Sequence, residues 1–356
     1  DADGKMAGRF FSDGQFFTND RRARFVVTPV RQEPAGVSGT FVLNSGRVRD
    51  QWHTMTRTGR SARLSQHLAE PFVELHPQDA QRLNIGTAEL VLLTRGNHRL
   101  IARALVTAAQ QPGSVFASMH WTAQRSGSAR VDALIDARPE PVSGQPALKS
   151  ARVSAAHLPV AWYGFGVSTA RPATGDIASW AATRAGAGFR FECAGIGPLP
   201  DAEIALRMLN PDADDAAAGG EVARNEVDVL QYMDNRQGIY RIALFRRNRL
   251  VAALFCAREP VSVAREWLIG ELGERHCDVA ARGRVPPGRA TGDEAGPGAL
   301  VCSCNNVGSN TIAAAIADGA TTVAEVGTCT EAGTGCGSCQ GEIRRMLNHV
   351  EIAEAV

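Results

Sequence analysis

The sequence predicts a multidomain chain: a small β-barrel, a mixed α/β connecting domain, and a very small all-α module organised by cysteines. Three observations carry this prediction. Short β-rich runs broken by Gly, Pro and Asn fill residues 40–153. Residues 283–298 hold five glycines and three prolines with almost no large apolar side chain, the composition of an exposed linker. Four of the eight cysteines sit in the last fifth of the chain as two tight pairs.

Length and charge narrow the classes. With 356 residues and 44% apolar content the chain is too long for one ordinary core. Thirty-eight basic against thirty-seven acidic residues leave a net charge of +1, so no overall field draws in nucleic acid or an anionic membrane. No apolar run approaches the ~18 residues that span a bilayer. The cysteines do not follow a secreted disulfide pattern. The expectation is a cytoplasmic protein with neither nucleic acid nor membrane as partner.

The first residue is Asp1, and residues 1–37 read as the remnant of a preceding domain. There the pairs Phe10-Phe11 and Phe16-Phe17 flank Ser12-Asp13-Gly14, which predicts a hairpin. In the barrel domain, 38–155, strands are predicted at 40–43, 72–75, 89–93, 100–106 and 115–118. One helix, 77–83, starts on Pro77 and stops by Gly86. Pro139, Pro141, Gly144 and Pro146 mark a tail leaving the domain.

In the connecting domain, 156–283, runs at 240–245 and 250–255 are split by Arg246-Arg247-Asn248-Arg249, a hairpin pattern, and 264–272 is helical. Gly164-Phe165-Gly166 and Gly195-Ile196-Gly197 are too short for a dinucleotide fingerprint. After the linker, 284–298, the module at 299–356 carries helices at 311–317 behind an Asn310 cap, 322–326 behind Thr321, and 342–350. A core of under about sixty residues is marginal without a metal or another staple.

The cysteines supply one. Cys302 and Cys304 are one residue apart, Cys336 and Cys339 two, and thirty-one residues lie between the pairs. Four thiolates in two pairs suit an iron-sulfur cluster or a zinc ion. Gly333, Gly335, Gly337 and Gly341 would let backbone N–H groups approach inorganic sulfide. Cys329 is read as a small buried apolar residue, and Cys193, Cys256 and the His276-Cys277 pair as structural. Earlier in the chain, Leu43-Asn44-Ser45-Gly46-Arg47 and Trp52-His53-Thr54-Met55-Thr56-Arg57-Thr58-Gly59 form a strand and a loop rich in hydroxyls, Arg and His. Such a loop either meets a pyrophosphate or heterocycle, or is solvated surface.

Two resemblances bear on these choices. Cys302-Ser303-Cys304-Asn305 and Gly335-Cys336-Gly337-Ser338-Cys339 resemble the bacterioferritin-associated ferredoxin type of [2Fe-2S] domain, which implies that all four cysteines ligate the cluster. The Ser45–Gly59 stretch, Met119-His120-Trp121, Asp132-Ala133-Leu134 and Ser143-Gly144-Gln145-Pro146 with Lys149 resemble the C-terminal domain of molybdopterin oxidoreductases. That resemblance implies a double-psi β-barrel closing over a pterin dinucleotide. The positions it implies as cofactor contacts are Ser45, Gly46, Arg47, His53, Thr54, His120, Trp121, Asp132 and Lys149. Ser45 stands where Thr is usual, Asp132 where Asn is common and Glu140-Pro141 where Asp-Pro is, and a carboxylate cannot donate as an amide does.

Together the two domains resemble the catalytic subunits of bacterial assimilatory nitrate reductases. The implied reaction is two-electron reduction of nitrate to nitrite at molybdenum bis(molybdopterin guanine dinucleotide). The implied electron route is through the [2Fe-2S] cluster from a donor reductase or ferredoxin. The catalytic metal ligand and a [4Fe-4S] cluster are expected in a preceding part, so this portion alone is expected to be inactive. Alternatives are another molybdopterin oxidoreductase, such as a formate dehydrogenase, or a non-enzymatic iron-sulfur electron-transfer module.

Overall fold

The computed structural model describes residues 9–27, 39–175, 177–209, 227–288 and 296–354. Its first unit is a closed six-stranded barrel. The strands are β1 (Thr40–Gly46), β2 (Phe72–Leu75), β3 (Leu90–Arg95), β4 (His98–Val106), β5 (Ser114–Ser118) and, after a small ladder of β6 (Asp136–Pro139) and β7 (Pro146–Ala147), β8 (Lys149–His157). They close in the order β1-β5-β2-β4-β3-β8. β1 runs parallel to β5 and β2 parallel to β4, while the other pairs are antiparallel. Period-2 alternation turns Phe41, Leu43, Val73, Leu75, Val91, Leu93 and Val115 into one dry core.

The five predicted strands and the helix over Pro77–Leu83 are present. That helix ends on Asn84 in the left-handed region rather than on Gly86. The prolines at 139–146 do not lead out of the domain, because β8 returns between β1 and β3 to close the barrel. Its sequence, in which five of nine residues are small Ala or Ser, gives little strand signal. The described residues 9–27 form turns without a strand, and Phe10, Phe17 and Phe25 are exposed.

The second unit is a six-stranded antiparallel sheet. It comprises β9 (Trp162–Ser168), β10 (Ser179–Ala185), β11 (Gly188–Gly195), β12 (Val227–Asp234), β13 (Ile239–Arg246) and β14 (Arg249–Ala257), in the order β10-β11-β9-β14-β13-β12. The predicted hairpin is β13–β14. Every residue of central β9 is buried, as a strand covered on both faces must be. One face packs under Met208 and Leu209 of a helix at Ala202–Leu209. The other packs under Leu268 and Ile269 of a helix at Arg265–Glu271.

Gly164 and Gly166 on β9 have a packing explanation. A Cβ on Gly166 would fall 2.1 Å from the Phe191 ring, and one on Gly164 would fall 2.7 Å from Cys193 Sγ. Their missing side chains give room to these neighbours, so the short Gly-x-Gly is core geometry. Cys193 and Cys256 both face Gly164 in register from opposite sides. They lie two strand spacings apart, roughly 9.6 Å, beyond the ~7 Å reach of a disulfide. Burial pushes both thiols up.

Of the residues predicted as linker, 289–295 lie outside the described set. Val285 is wholly buried in the sheet unit, and the Pro286 and Pro287 carbonyls accept from Arg241. On the far side the Pro297 carbonyl accepts from Asn310 N–H. Both ends of the predicted linker are therefore packed.

The third unit holds helices at Ser309–Ala317, Val323–Thr330 and Gln340–Glu354. It also holds a two-stranded ladder, Leu300–Cys302 with Val307–Gly308, so it is not purely helical as predicted. The ladder arises because the Cys302–Asn306 turn must double back, with Asn306 at φ 56°. Thr322, not Thr321, caps the middle helix, in a capping box with Glu325.

Candidate functional site

Two groups of side chains emerge, one at the end of β1 and one in the third unit. At the end of β1, Ser45 is buried and donates its hydroxyl to the Leu148 carbonyl at 2.6 Å, while Lys149 Nζ donates to the Ser45 carbonyl. A Cβ on Gly46 would come 2.8 Å from the Phe116 ring and 3.7 Å from Lys149 Nζ, so glycine leaves room there. Arg47, Thr54 and Lys149 are exposed and His53 is half-buried. Trp52 packs edge-on against His53 at 4.8 Å, and Arg57 lies over the Trp52 ring at 5.2 Å.

His120 is wholly buried. Val48 N–H donates to its Nε2 at 2.9 Å, which leaves Nδ1 to carry the proton and donate to the His53 carbonyl at 2.5 Å. Burial, chiefly, pushes its pKa down, against the pull of the His53 and Trp52 carbonyls; the His53 and Arg47 charges add to the lowering. The neutral ring thus ties both ends of the loop, so His120 contributes loop shape. Trp121 is buried against Met55, Ala129 and Ala181 under the same loop.

Ser45, Gly46, Arg47, His53, His120 and Lys149 therefore come together around one loop. Asp132 is exposed in the first turn of the short helix Val131–Leu134, and no hydrogen bond or ion pair among the described residues joins it to this group. What the loop presents outward is a cationic, hydroxyl-bearing edge with Arg47, Lys149, Thr54 and Arg57. That set suits the phosphates and polar rings of a dinucleotide.

In the third unit the sulfurs form two pairs. Cys304 Sγ lies 3.1 Å from Cys336 Sγ, and Cys302 hydrogen-bonds with Cys339. The first pair is exposed and the second buried. Each pair could supply two thiolates to one iron of a binuclear cluster, while among the described residues no group of three or more His, Cys, Asp or Glu is placed to hold a metal ion. Around Cys302, burial raises the thiol, yet N–H groups of Gly333 and Asn305 outweigh it and hold the thiol below its ordinary value. Donors to sulfur of this kind stabilise thiolate and cluster alike. Ser338 holds Cys336 below the usual thiol range, and burial pushes Cys339 up to about 11.

The surrounding loops fit a cluster. A Cβ on Gly335 would lie 3.2 Å from Cys304 Cβ, so a side chain there would crowd that cysteine. Gly333 and Gly337 have φ of +84° and +74°. Asn305, inside the first cysteine motif, donates its amide to the Glu331 carbonyl and to Thr334 Oγ1, clipping the two cysteine loops together. Cys329 is exposed, contrary to its reading as a buried apolar residue, because it falls on the outer face of its helix. His276 is buried against Phe245, as a structural residue.

The sequence pattern did not reveal a third set, where the barrel meets the cysteine unit. Arg49, two residues past Arg47, donates to the Val301 carbonyl and to Glu342 Oε2, both at 2.7 Å. His67 Nε2 lies 3.0 Å from the same carboxylate oxygen. Ser303 Oγ donates to Asp50 at 2.9 Å. None of these residue types forms a recognisable spacing.

Comparison with known proteins agrees with the two groups. Residues 41–152 match the family described as "Molydopterin dinucleotide binding domain", and residues 300–349 match the "BFD-like [2Fe-2S] binding domain". A nitrate reductase of Klebsiella oxytoca is 30% identical over 331 residues, covering 92% of this chain and 36% of that protein. One of Shewanella frigidimarina is 34% identical over 182 residues, 45% of this chain and 19% of its own. The F420-dependent formate dehydrogenase subunit alpha of Methanocaldococcus jannaschii is 30% identical over 109 residues, 30% of this chain and 16% of its own. The chain spans 36% or less of the length of each of these relatives.

Proposed function

We propose that this chain, which carries a molydopterin dinucleotide binding domain and a BFD-like [2Fe-2S] binding domain, is a C-terminal portion of a molybdenum-dependent nitrate reductase. The observation that supports it most is the presence of both domains together with likeness to a nitrate reductase along 92% of the chain. Formate dehydrogenase relatives match over a shorter stretch. The two parallel strand pairs of the barrel support a double-psi connectivity.

In this reading the reaction takes up nitrate, two electrons and two protons and releases nitrite and water. When bound, the pterin-held molybdenum supplies the two-electron chemistry and the [2Fe-2S] cluster passes single electrons inward from a ferredoxin or donor reductase. This chain binds and orients. Arg47, Lys149, His53 and Thr54 offer donors to the dinucleotide, with Ser45 and Gly46 fixing the strand end beneath them. Cys302, Cys304, Cys336 and Cys339 hold the cluster, with the Gly333 and Asn305 N–H groups tuning Cys302.

The test is to express the longer protein containing this portion and assay it with reduced viologen. Nitrate-dependent viologen oxidation supports the proposal, whereas formate oxidation without nitrate reduction would overturn it. Cytoplasmic location is part of the same proposal; among the described residues no helix is long and apolar enough to cross a membrane.

A further inference from the structure

We infer that the segment 45–53 is a shared wall between the two cofactor sites, and that Arg49 with Glu342 latches the iron-sulfur unit onto the barrel as a pair of positioning residues. The inference rests on the function proposed above for what the latch serves, but the latch itself stands on geometry alone.

The wall's first end is the Ser45-Gly46-Arg47 strand end and its last is His53, the residues offered to the dinucleotide. Between them, Arg49 and Asp50 face the other way. Arg49 is 16% exposed and holds two groups of the iron-sulfur unit at once, the Val301 carbonyl next to Cys302 and the Glu342 carboxylate three residues after Cys339. Asp50 accepts from Ser303, which lies between Cys302 and Cys304. Arg63 donates to the carbonyl of Cys304 itself at 3.4 Å. Both cysteine loops are thus flanked by contacts from the barrel, and each contact sits within three residues of a cluster ligand.

The electrostatics agree with a closed contact. Burial works to raise the Glu342 carboxyl, yet hydrogen bonding to His67 and the charges of His67, Arg49 and Arg345 hold it below its ordinary value. On the other side, the Asp50 backbone has φ 69°, the left-handed region. A non-glycine residue held there is worth a stabilising contact elsewhere, and Ser303 supplies it. The loop is then neither free to fold outward nor free to let the cysteine unit slide. Its backbone is fixed from within by His120, whose ring joins Val48 to His53. A unit held this way keeps the two cofactors at one separation, as repeated electron transfer between them requires.

The test uses Arg49→Ala, Glu342→Ala and Arg49→Lys. In the iron-loaded 356-residue chain, hydrogen exchange of amides 300–305 and 47–50 is followed by mass spectrometry, with the [2Fe-2S] electron paramagnetic resonance signal as a check that the cluster unit stays folded. Both alanine variants should exchange there about tenfold faster with an unchanged signal, and Arg49→Lys should restore part of the protection, since Lys keeps one of two contacts. In the longer protein, nitrate-driven reoxidation of a prereduced cluster should slow by about the same factor in Glu342→Ala, which lies outside the 45–53 wall, while its viologen-driven nitrate reduction at molybdenum keeps its rate. Unchanged exchange in Arg49→Ala, or unchanged cluster reoxidation, would overturn the latch. If the unsubstituted longer protein reduces no nitrate, the proposed function falls, and the exchange measurement still decides the latch.

Discussion

Replacing Glu192 with Ala tests how the barrel is fastened to the sheet unit. Glu192 is 5% exposed. It accepts from Arg265 Nε at 2.7 Å and Nη2 at 3.2 Å and from Arg190 at 3.4 Å, and lies 3.8 Å from Arg103, a barrel residue paired with Glu70 at 2.7 Å. Removing this carboxylate would leave three guanidinium groups around an empty centre. Breaking a buried ion pair by deleting one partner costs about 3–5 kcal/mol. At roughly 2–4 °C per kcal/mol, the thermal midpoint should fall on the order of 10 °C.

Burial raises Glu192, but the Arg265 charge and hydrogen bond, then Arg190 and Arg103, outweigh it and leave its carboxyl depressed. A depressed carboxylate contributes stability that is present above its unfolded value, about pH 4.3, and is lost as pH falls through the folded one. The wild-type advantage over Glu192→Ala should therefore be full at pH 7 and shrink in acid. Differential scanning calorimetry across pH measures this directly. A loss below about 1 kcal/mol, the size of an exposed pair, would refute the reasoning.

Purified and anaerobically reconstituted, the chain should bind about two irons and show a [2Fe-2S] charge-transfer spectrum; stoichiometric zinc in place of iron on metal analysis, or an unaltered spectrum in Cys336→Ser, would count against the four-thiolate site. In the longer protein, Arg47→Ala and His53→Ala should each weaken pterin retention by roughly ten- to a hundredfold, seen as molybdenum loss with the iron spectrum intact. Full occupancy in both would make that loop ordinary surface. Gly166→Ala should destabilise the sheet unit by about 1–3 kcal/mol in urea titration, because the added methyl meets the Phe191 ring. Adding Phe191→Leu should recover part of that loss, and no recovery would show that the ring is not the obstacle.

Much of this was legible in residue order because the responsible contacts are local. The alternation of Phe41, Leu43 and Ser45 announces β1, and the spacing of the cysteine pairs narrows them to an iron-sulfur cluster or a zinc ion, between which the family resemblance chooses. Strand β8 was not legible, since its Ala and Ser side chains fit the barrel only once β1 and β3 flank it. The role of His120 also needed the fold: as a motif residue it reads as a cofactor contact, yet both ring nitrogens meet backbone. Arg49 and Glu342, 293 positions apart, could not be paired by any local rule.

The two sulfur pairs differ in one further respect, since Cys304 and Cys336 face solvent while Cys302 and Cys339 are enclosed. A cluster held by these four cysteines would have one exposed and one enclosed side in this chain, so oxidants in solution would meet the exposed side first. Its wear is then directional: peroxide should modify Cys304 and Cys336 before the inner pair, a sequence that peptide mass spectrometry can order. Should the proposed donor approach from that side, its access and the cluster's service life in air would depend on the same two exposed thiols.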